Sequence, residues 1–243
     1  MVEMLNIAIF SDIHANLEAL TTVVDYINDL SPDIIICLGD IVGYGPNPKE
    51  CIEIVEKVAQ IQVVGNHDYA IFTNNFMYFN PLPKMSLIWT KDQLTKEEIQ
   101  TLGSHPFYSI FPLFITEGNA MFVHGSPRNP LRDYVTPDLP EWSYNVFFEI
   151  IRDFAEVDFL FLGHTHKPLH IVSGNKHLFN PGSVGQPRDR DPRASFMFFK
   201  VNETSKSYEF EHIRLEYDVD TTAKKLEEVG IHQFLIHRLK KGI

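Results

Sequence analysis

The sequence predicts an α/β fold built around a mainly parallel sheet. Short, continuously apolar runs alternate with segments whose apolar residues have helical spacing. Strands that are apolar along their whole length are buried on both faces, as they are in parallel sheets covered by helices. At 243 residues, the chain is also long enough to bury a large core without disulfides. We therefore expect one domain over residues 1–243.

The first half of the chain alternates predicted strands and helices. Residues 5–10, 33–38 and 61–64 are apolar runs that predict three strands. Before the third strand, Asn47 is the predicted N-cap of a helix and Pro48 its first residue. An earlier helix, between the first two strands, is predicted from an apolar face formed by Leu17, Leu20, Val24, Ile27 and Leu30.

Residues 69–115 interrupt this alternation with an aromatic and polar segment. Within it, Thr95 and Glu98 have the spacing of a capping box, which predicts a short helix ending at Leu102. We therefore predict a helical insertion over 69–115 that overhangs the functional site.

The strand pattern resumes in the second half and then changes in character. Residues 120–123 and 159–162 predict two further apolar strands, separated by a predicted helix over 141–155. From residue 169 to residue 217 the apolar runs are short, which predicts a second, mostly antiparallel sheet. Two helices are predicted within 220–243.

Composition excludes several classes of function. The chain has 32 acidic and 21 basic residues, and its formal net charge of −11 disfavours binding to long nucleic acid polymers. Cys37 and Cys51 lack the spacing of metal ligands or a redox motif, which is compatible with a reducing compartment. Residues 1–10 do not resemble a signal peptide, and no run of 18 apolar residues occurs. We expect a cytoplasmic protein without a membrane segment.

Five of the predicted strands end in residues that can bind a metal ion. In a parallel sheet the carboxyl ends of the strands open onto one crevice, so these segments are expected to converge. The motifs are Asp12-x-His14, Gly39-Asp40, Gly65-Asn66-His67, His124-Gly125 and Gly163-His164-Thr165-His166.

The candidate ligands are two carboxylates, one amide oxygen and four imidazoles, with no sulfur. This set suits Mn²⁺, Zn²⁺ or Fe better than Mg²⁺ or Ca²⁺. Seven side chains are too many for one tetrahedral ion, but suffice for two ions about 3.5–4 Å apart that share a carboxylate. Read singly, each motif has an ordinary alternative as a turn, a cap or a core histidine. Their combination at successive strand ends favours a dinuclear site.

The ordered motif set resembles that of the calcineurin-like metallophosphoesterases, over residues 5 to about 187. Residues 39–46 and 180–188 are similar to a small prokaryotic branch that includes phosphodiesterases and dinucleoside-tetraphosphate hydrolases. The resemblance implies a four-layer αββα sandwich of two mixed sheets flanked by helices. The site is then expected between the edges of the two sheets.

The resemblance also implies roles for individual residues. His67 would contact phosphate and protonate the leaving oxygen, and a hydroxide bridging two divalent ions would attack phosphorus. Manganese is the first expectation for the ions, with iron, zinc and nickel as alternatives. By the same resemblance one ion is held by Asp12, His14 and His166, the other by Asn66, His124 and His164, and Asp40 bridges them.

The chain departs from the protein-phosphatase branch after the Gly-Asp motif. That branch has an Asp-Arg pair where this chain has Gly43-Tyr44, which disfavours a phosphoserine phosphatase. Arg188 is a candidate replacement cation for substrate, with a surface arginine as the alternative reading. Tyr44 either stacks on a substrate base or packs in the core. Ser183 lies outside any nucleophile elbow and is interpreted as a turn residue.

The leading hypothesis is a dinuclear metal-dependent phosphoesterase acting on a small phosphorylated molecule, either a phosphodiester or a nucleotide phosphoanhydride. A phosphomonoesterase or protein phosphatase is the alternative within enzymes. A non-catalytic, protein-binding scaffold of the same fold is the alternative outside them. The sequence leaves homo-oligomerisation open.

Overall fold

Two five-stranded mixed sheets pack face to face in the computed structural model, which describes residues 4–152 and 156–243. The first sheet contains β1 (Met4–Phe10), β2 (Ile34–Cys37), β3 (Ile61–Gln62), β9 (Ala194–Asn202) and β10 (Ser207–Leu215), in the order β10-β9-β1-β2-β3. The second contains β4 (Tyr108–Phe111), β5 (Asn119–Val123), β6 (Val157–Leu162), β7 (Pro168–Ser173) and β8 (Lys176–Pro181), in the order β4-β5-β6-β8-β7.

Helices flank the two sheets in the described part of the chain. They are α1 (Leu17–Leu30), α2 (Pro48–Val58), α3 (Asn66–Thr73), α4 (Pro81–Gln93), α5 (Lys96–Ser104), α6 (Glu141–Ile151), α7 (Val219–Glu228) and α8 (Gln233–Lys241). Residues 153–155 of the helix predicted over 141–155 lie outside the described residues. Within the described ranges, no helix combines the length and the apolar character needed to span a bilayer.

Alternation along β1 shows why the molecule has four layers. Ile7 and Ile9 are buried between the two sheets, where Phe122 of β5 and Phe161 of β6 belong to the same apolar cluster. The intervening residues of β1 point to the opposite face and join α1 and α2 in a second cluster. On the outer face of the second sheet, α6 packs on β5 and β6 in a third. The predicted αββα sandwich is therefore confirmed.

The division of strands between the sheets differs from the residue-based prediction. That prediction assigned all five apolar strands up to residue 162 to one sheet and the runs from 169 to 217 to another, which is wrong. Instead β5 and β6 pair in parallel with each other and β6 with β8, while β9 returns to pair antiparallel with β1. The physical reason is that an apolar run requires two covered faces. A second sheet can cover one of them as well as a helix can.

The segment 69–115 is only partly helical. It contains most of α3, then α4 and α5, and it ends in β4, an edge strand that pairs antiparallel with β5. Burial along β4 is weak and alternating, so its sequence carries no continuous apolar run. The capping box of α5 is confirmed: the Thr95 N–H donates to Glu98 Oε2 at 2.6 Å, and the Glu98 N–H to Thr95 Oγ1 at 3.2 Å. The helix continues beyond Leu102, to Ser104.

The predicted N-cap position of α2 is confirmed, although the side chain of Asn47 is used elsewhere. The helix begins at Pro48 as expected, but the Asn47 side chain caps no backbone N–H. Asn47 Nδ2 donates instead to Glu50 Oε1 at 3.0 Å, and Asn47 Oδ1 accepts from Lys225 of α7 at 3.1 Å. The amide is thus used to hold the C-terminal helices against the body of the domain.

Candidate metal centre

The loops that follow β1 and β2 are joined by backbone hydrogen bonds. The Asp12 N–H donates to the Gly39 carbonyl and the His14 N–H to the Asp40 carbonyl, both at 3.0 Å. These bonds extend the parallel pairing of β1 and β2 past the strand ends. The Asp-x-His and Gly-Asp motifs, which are far apart in the sequence, are thereby fixed beside each other.

The second sheet brings its ligands to the same place. The Gly163 N–H donates to the His124 carbonyl at 2.9 Å, which ties the ends of β6 and β5 together. The His164 N–H donates across the sheets to Asp12 Oδ2 at 3.1 Å. The ligand-bearing strand ends therefore converge from two sheets rather than from one parallel sheet.

Five of the seven predicted ligands have left-handed backbone conformations. Their φ angles lie between 50° and 68°. Such conformations cost non-glycine residues about 1 kcal/mol or more each and persist where the surroundings enforce them, commonly at functional sites. The five are Asp12, His14, Asp40, His164 and His166.

Gly65 permits the close approach of the loop after β3 to the loop after β2. A Cβ at this position would lie 2.1 Å from the Asp40 nitrogen and 2.2 Å from Asp40 Oδ1. Any side chain would displace the carboxylate around which both ligand groups are arranged. The glycine of this motif is thus explained by contact with Asp40, in addition to its place just before α3.

One group of candidate ligands consists of Asp12, His14 and His166, all buried. His14 Nε2 and His166 Nε2 lie 3.2 Å apart, and Asp12 Oδ1 is 3.3 Å from His166 Nε2 and 3.8 Å from His14 Nε2. These three atoms surround a small common volume, which is the arrangement expected of ligands to one ion.

A second group consists of Asp40, His124 and His164. His124 Nε2 lies 3.3 Å from Asp40 Oδ2 and 3.1 Å from Oδ1 of Asn66, which is half-buried at the start of α3. Asp40 Oδ2 is also 3.7 Å from His14 Nε2. One carboxylate oxygen of Asp40 therefore lies between the two groups.

Backbone carbonyls set the tautomers of three of these histidines. Nδ1 of each ring faces a carbonyl oxygen, which can only accept a hydrogen bond, so Nδ1 carries the proton. When the ring is neutral, Nε2 then carries the lone pair that would ligate a metal ion. The carbonyl partners of His14, His124 and His166 are those of Val42, Leu38 and Gln186, at 3.1, 2.8 and 2.6 Å.

The donor set fits divalent ions. Asp12 Oδ1 and His164 Nε2 are buried and have no hydrogen-bond partner, and a buried polar atom left unpaired costs about 1–3 kcal/mol. An ion held by oxygen and imidazole nitrogen would satisfy both atoms and separate the facing lone pairs. Oxygen and nitrogen ligands without sulfur suit manganese, iron or zinc.

Burial and the facing charges shift the pKa values of these groups. Burial lowers the pKa of His14 and His166 well below 6.5, which keeps both imidazoles neutral. Burial opposes ionisation of Asp40, but its interactions with the neighbouring histidines, His124 first among them, outweigh burial and hold its pKa below the usual range. Burial likewise opposes protonation of His124, yet Asp40 raises its pKa to about 9. A proton on His124 thus supplies positive charge that a metal ion would replace.

His67 lies beside both groups in the first turn of α3. Its backbone N–H donates to Asp40 Oδ1 at 2.8 Å, and its ring centroid is 4.7 Å from that of His14. Its Nδ1 is buried and has no hydrogen-bond partner. Burial lowers the pKa of His67 to about 4, so its ring is neutral at neutral pH. The side chain can therefore meet a substrate or, with His14 and Asp40, form a third ligand group.

A cavity of about 730 Å³ opens from these ligands and contains both predicted substrate-binding residues in its wall. The Tyr44 ring packs 4.7 Å from the rings of His14 and His67, centroid to centroid. Arg188 NH2 donates to the Tyr44 hydroxyl at 3.4 Å. The structure thus brings Arg188 and Tyr44 together next to the ligands, and their roles toward a substrate stay predictions.

Asp68 is a structural residue of the site that the sequence analysis missed. Its buried carboxylate accepts hydrogen bonds from the backbone N–H groups of Ile41 at 2.9 Å, Val42 at 3.1 Å and Gly65 at 3.2 Å. These bonds fasten the loop after β2 to the start of α3. The signal was available, because an acidic residue three positions after Gly65 is the pattern of a capping box.

Ser183 braces the same region from the other sheet. Its hydroxyl donates to the Asp12 carbonyl at 2.7 Å and accepts from the Gln186 N–H at 2.8 Å. Both contacts are with backbone atoms in a turn, in agreement with the interpretation of Ser183 as a turn residue.

Two further cavity residues were also missed, and no motif marks them. The Tyr134 ring lies 4.0 Å from the ring of His164, centroid to centroid, in the loop after β5. Arg238 enters the cavity wall from α8. Both occur in segments without a recognisable local pattern, so only the tertiary structure reveals their positions.

Comparison with known proteins agrees with this geometry. The family model described as the calcineurin-like phosphoesterase superfamily domain matches residues 5–204. An uncharacterized protein of Methanocaldococcus jannaschii is 34% identical, covering 97% of this chain and 98% of its own. The phosphodiesterase YfcE of Escherichia coli K12 is 26% identical over 199 residues, 78% of this chain and 84% of the relative.

A solved structure extends the likeness to the whole fold. The crystal structure of a metallophosphoesterase from Sphaerobacter thermophilus is 35% identical with a TM-score of 0.80, covering 99% of this chain and 100% of that one. The arrangement of the sheets, the convergence of the ligand motifs and the family match all support the same family assignment. The chain belongs to the calcineurin-like phosphoesterase superfamily.

Proposed function

We propose that this protein is a hydrolase that uses two divalent metal ions to cleave a small phosphodiester or a nucleotide phosphoanhydride. One observation carries the proposal: two groups of buried ligand atoms flank the Asp40 carboxylate and open onto one cavity. Manganese is our first choice of ion, with iron, zinc and nickel as alternatives.

Each ligand has an assigned place in this proposal. Asp12, His14 and His166 would hold one ion, and Asp40 would contact both. Bound ions of this kind activate water for attack and neutralise charge that develops on the phosphoryl oxygens. The second ion would be held by Asn66, His124 and His164.

Other side chains act directly on the substrate. His67 would contact the phosphoryl group and deliver a proton to the leaving oxygen. Because burial keeps the pKa of His67 near 4 in the free chain, its protonation depends on the negative charge that a bound phosphoryl group brings. Arg188, whose NH2 donates to the Tyr44 hydroxyl, would supply a fixed positive charge for the phosphoryl oxygens.

The cavity supports a substrate larger than inorganic phosphate. Its volume of about 730 Å³ is within the range that accommodates a whole small-molecule ligand. Tyr78, Phe79 and Phe234 contribute aromatic surface to its wall, which favours a substrate with a flat apolar group. Similarity to the phosphodiesterase YfcE supports diester chemistry.

A substrate screen with added Mn²⁺ tests the proposal. We expect a bis-aryl phosphodiester or a nucleoside polyphosphate to be hydrolysed at least about tenfold more efficiently than an aryl phosphomonoester, a transition-state difference of about 1.4 kcal/mol. Chelation of the metal should abolish the activity, and the His67→Ala variant serves as the catalytic control. A preference for monoesters would indicate a phosphomonoesterase. Two bound ions with no hydrolysis of any substrate would indicate a scaffold.

A further inference from the structure

Two arginines that form no ion pair with an Asp or Glu side chain in the described residues line the cavity. Arg188 follows β8 and Arg238 lies on α8, and both line the cavity together with His164 and His166. In the part of the chain that the structure describes, no Asp or Glu side chain lies within 4.0 Å of either guanidinium group. Ion pairs to carboxylates are made by other arginines, namely Arg128, Arg193 and Arg214.

The hydrogen bonds of the two guanidinium groups leave donors free. Arg188 NH2 donates to the Tyr44 hydroxyl at 3.4 Å and to Gln186 Oε1 at 3.1 Å, whereas its Nε is buried and has no partner. Arg238 Nε donates to the main-chain oxygen of Ile243, the last residue of the printed sequence, at 2.8 Å. Both groups therefore keep N–H donors for a ligand that carries acceptor oxygens.

The pair is electrostatically unfavourable without an anion. Burial and the positive charge of Arg188 both disfavour the charged form of Arg238 and lower its pKa from the usual value. Two like charges held in one cavity wall repel each other, and an anion bound between them would attract both and make the net electrostatic energy favourable. Guanidinium groups with free donors bind phosphate oxygens in a bidentate manner.

The arginines lie directly beside the candidate metal centre. The Tyr44 ring contacts His14 and His67, and its hydroxyl reaches Arg188. The backbone N–H of Arg188 also donates to the carbonyl of His166 at 3.2 Å. A ligand that places one phosphoryl group against the metal ligands can thus extend a second group toward the arginines.

Arg238 belongs to a part of the chain outside the shared family domain. The family match ends at residue 204, whereas α7 and α8 lie at 219–241. The helix pair is fastened beside the site: Thr222 Oγ1 of α7 donates to Oδ1 of Asn16 at 3.1 Å, and Asn16 Nδ2 donates to the Gly185 carbonyl at 2.9 Å. The C-terminal helices are therefore positioned to add specificity to the common domain.

We propose that Arg188 and Arg238 form a second phosphoryl-binding site, and that the substrate is a phosphoanhydride with at least two adjacent phosphoryl groups. This inference rests on the proposed function of the metal centre and narrows its substrate class. A simple phosphodiester has one phosphoryl group, which the metal ligands and Arg188 can bind together, and it would leave Arg238 without a phosphoryl oxygen.

The hydrolysis of such a substrate balances without a further reactant. The oxygen of water bonds to the phosphorus beside the metal ligands, and the bond from that phosphorus to the bridging oxygen breaks. The bridging oxygen leaves with the second phosphoryl group, whose negative charge the arginines stabilise. The two protons of the water are distributed between the two phosphate products and solvent.

Equilibrium binding tests the second site independently of catalysis. The Mn²⁺-loaded protein is titrated in a calorimeter with adenosine 5′-(α,β-methylene)diphosphate, which cannot be hydrolysed at the α,β position, and with AMP. We expect Arg238→Gln to weaken binding of the diphosphonate analogue by about tenfold or more, the scale of a lost charged hydrogen bond. Binding of AMP should weaken by less than about threefold, because AMP has one phosphoryl group.

Three further variants sharpen the test. Arg238→Lys keeps the charge but loses the planar donor pair, so an intermediate effect is expected. Arg188→Gln should lower affinity for the diphosphonate analogue more than for AMP. Lys241→Gln removes one positive charge from the exposed face of the same helix, and it should leave both affinities unchanged. Thermal unfolding of each variant identifies any that fails to fold.

The kinetic arm compares kcat/KM for ADP with kcat/KM for a bis-aryl phosphodiester. We expect the ratio to fall about tenfold in Arg238→Gln. Equal losses on AMP and the diphosphonate analogue, or no loss on either, would overturn the second site. If the wild-type protein hydrolyses no phosphoester yet shows the arginine-dependent binding difference, the proposed function fails and the second site stands. If the wild-type protein hydrolyses diesters and the arginine variants lose no more affinity for the diphosphonate analogue than for AMP, the second site fails and the proposed function stands.

Discussion

Replacing Asp40 with asparagine is expected to remove both metal ions and to lower hydrolysis by more than about a thousandfold, the scale of losing a principal electrostatic contribution. Asp40 Oδ1 accepts the His67 N–H, and Oδ2 faces His14 Nε2 and His124 Nε2. Asparagine has nearly the same shape but no negative charge, and only one oxygen to serve both sides. Metal content per chain and turnover, measured on the same preparation, check this expectation.

A buried aspartate at the other end of the fold provides the matched control. Asp158 lies near the start of β6, where Oδ1 accepts from Lys176 Nζ at 2.6 Å and Oδ2 accepts from the Gly118 N–H at 3.1 Å. Asp158→Asn should lose stability yet keep the metal ions and most activity. An Asp40→Asn protein that retains two ions per chain and turns over substrate would show that Asp40 is not the shared ligand.

Replacing His67 with alanine is expected to leave both ions in place while slowing hydrolysis of an alkyl phosphoester by about 10²–10⁴-fold, the usual contribution of a general acid. The loss should be much smaller for a p-nitrophenyl ester, whose leaving oxygen needs no proton. The basis is the position of His67 beside Asp40 and in the wall of the cavity, with a buried Nδ1 that has no hydrogen-bond partner. Rates on a series of leaving groups, together with metal analysis, test the prediction.

The same variant also decides whether His67 is itself a ligand. The side chain lies close enough to His14 and Asp40 for the three to hold an ion together. Loss of metal from His67→Ala would therefore assign it to the metal centre instead of to the substrate. His105, which pairs with Glu56 at 2.8 Å, supplies the control, since His105→Ala should change turnover less than twofold, about 0.4 kcal/mol.

Much of the candidate site could be predicted because its signal is local. Each ligand motif directly follows or begins within a few residues of a strand, and a run such as Ile7–Phe10 is apolar because both its faces are buried. The carboxyl ends of neighbouring parallel strands share one edge, so Asp12 and Asp40 were expected to meet. The backbone bonds between their loops follow from that pairing.

The remainder depends on contacts that no local pattern encodes. An apolar strand does not specify whether a helix or a second sheet covers it, so the partners of β5 and β9 were assigned wrongly. Asparagine is a common N-cap residue, but the Asn47 side chain makes its hydrogen bonds with Glu50 and Lys225 instead of with the first turn of α2. Arg238 reaches the cavity only because α8 folds back beside the site, although 224 residues separate it from His14.

The central claim is that seven side chains from both sheets hold two metal ions. Anomalous diffraction at the manganese edge, from crystals grown with Mn²⁺, tests it most directly. We expect two peaks about 3.5–4 Å apart, the spacing of dinuclear sites. One should lie among Asp12, His14 and His166, and the other should lie beside Asp40, His124 and His164. A single peak, or none at saturating Mn²⁺ with these side chains well ordered, would contradict the account.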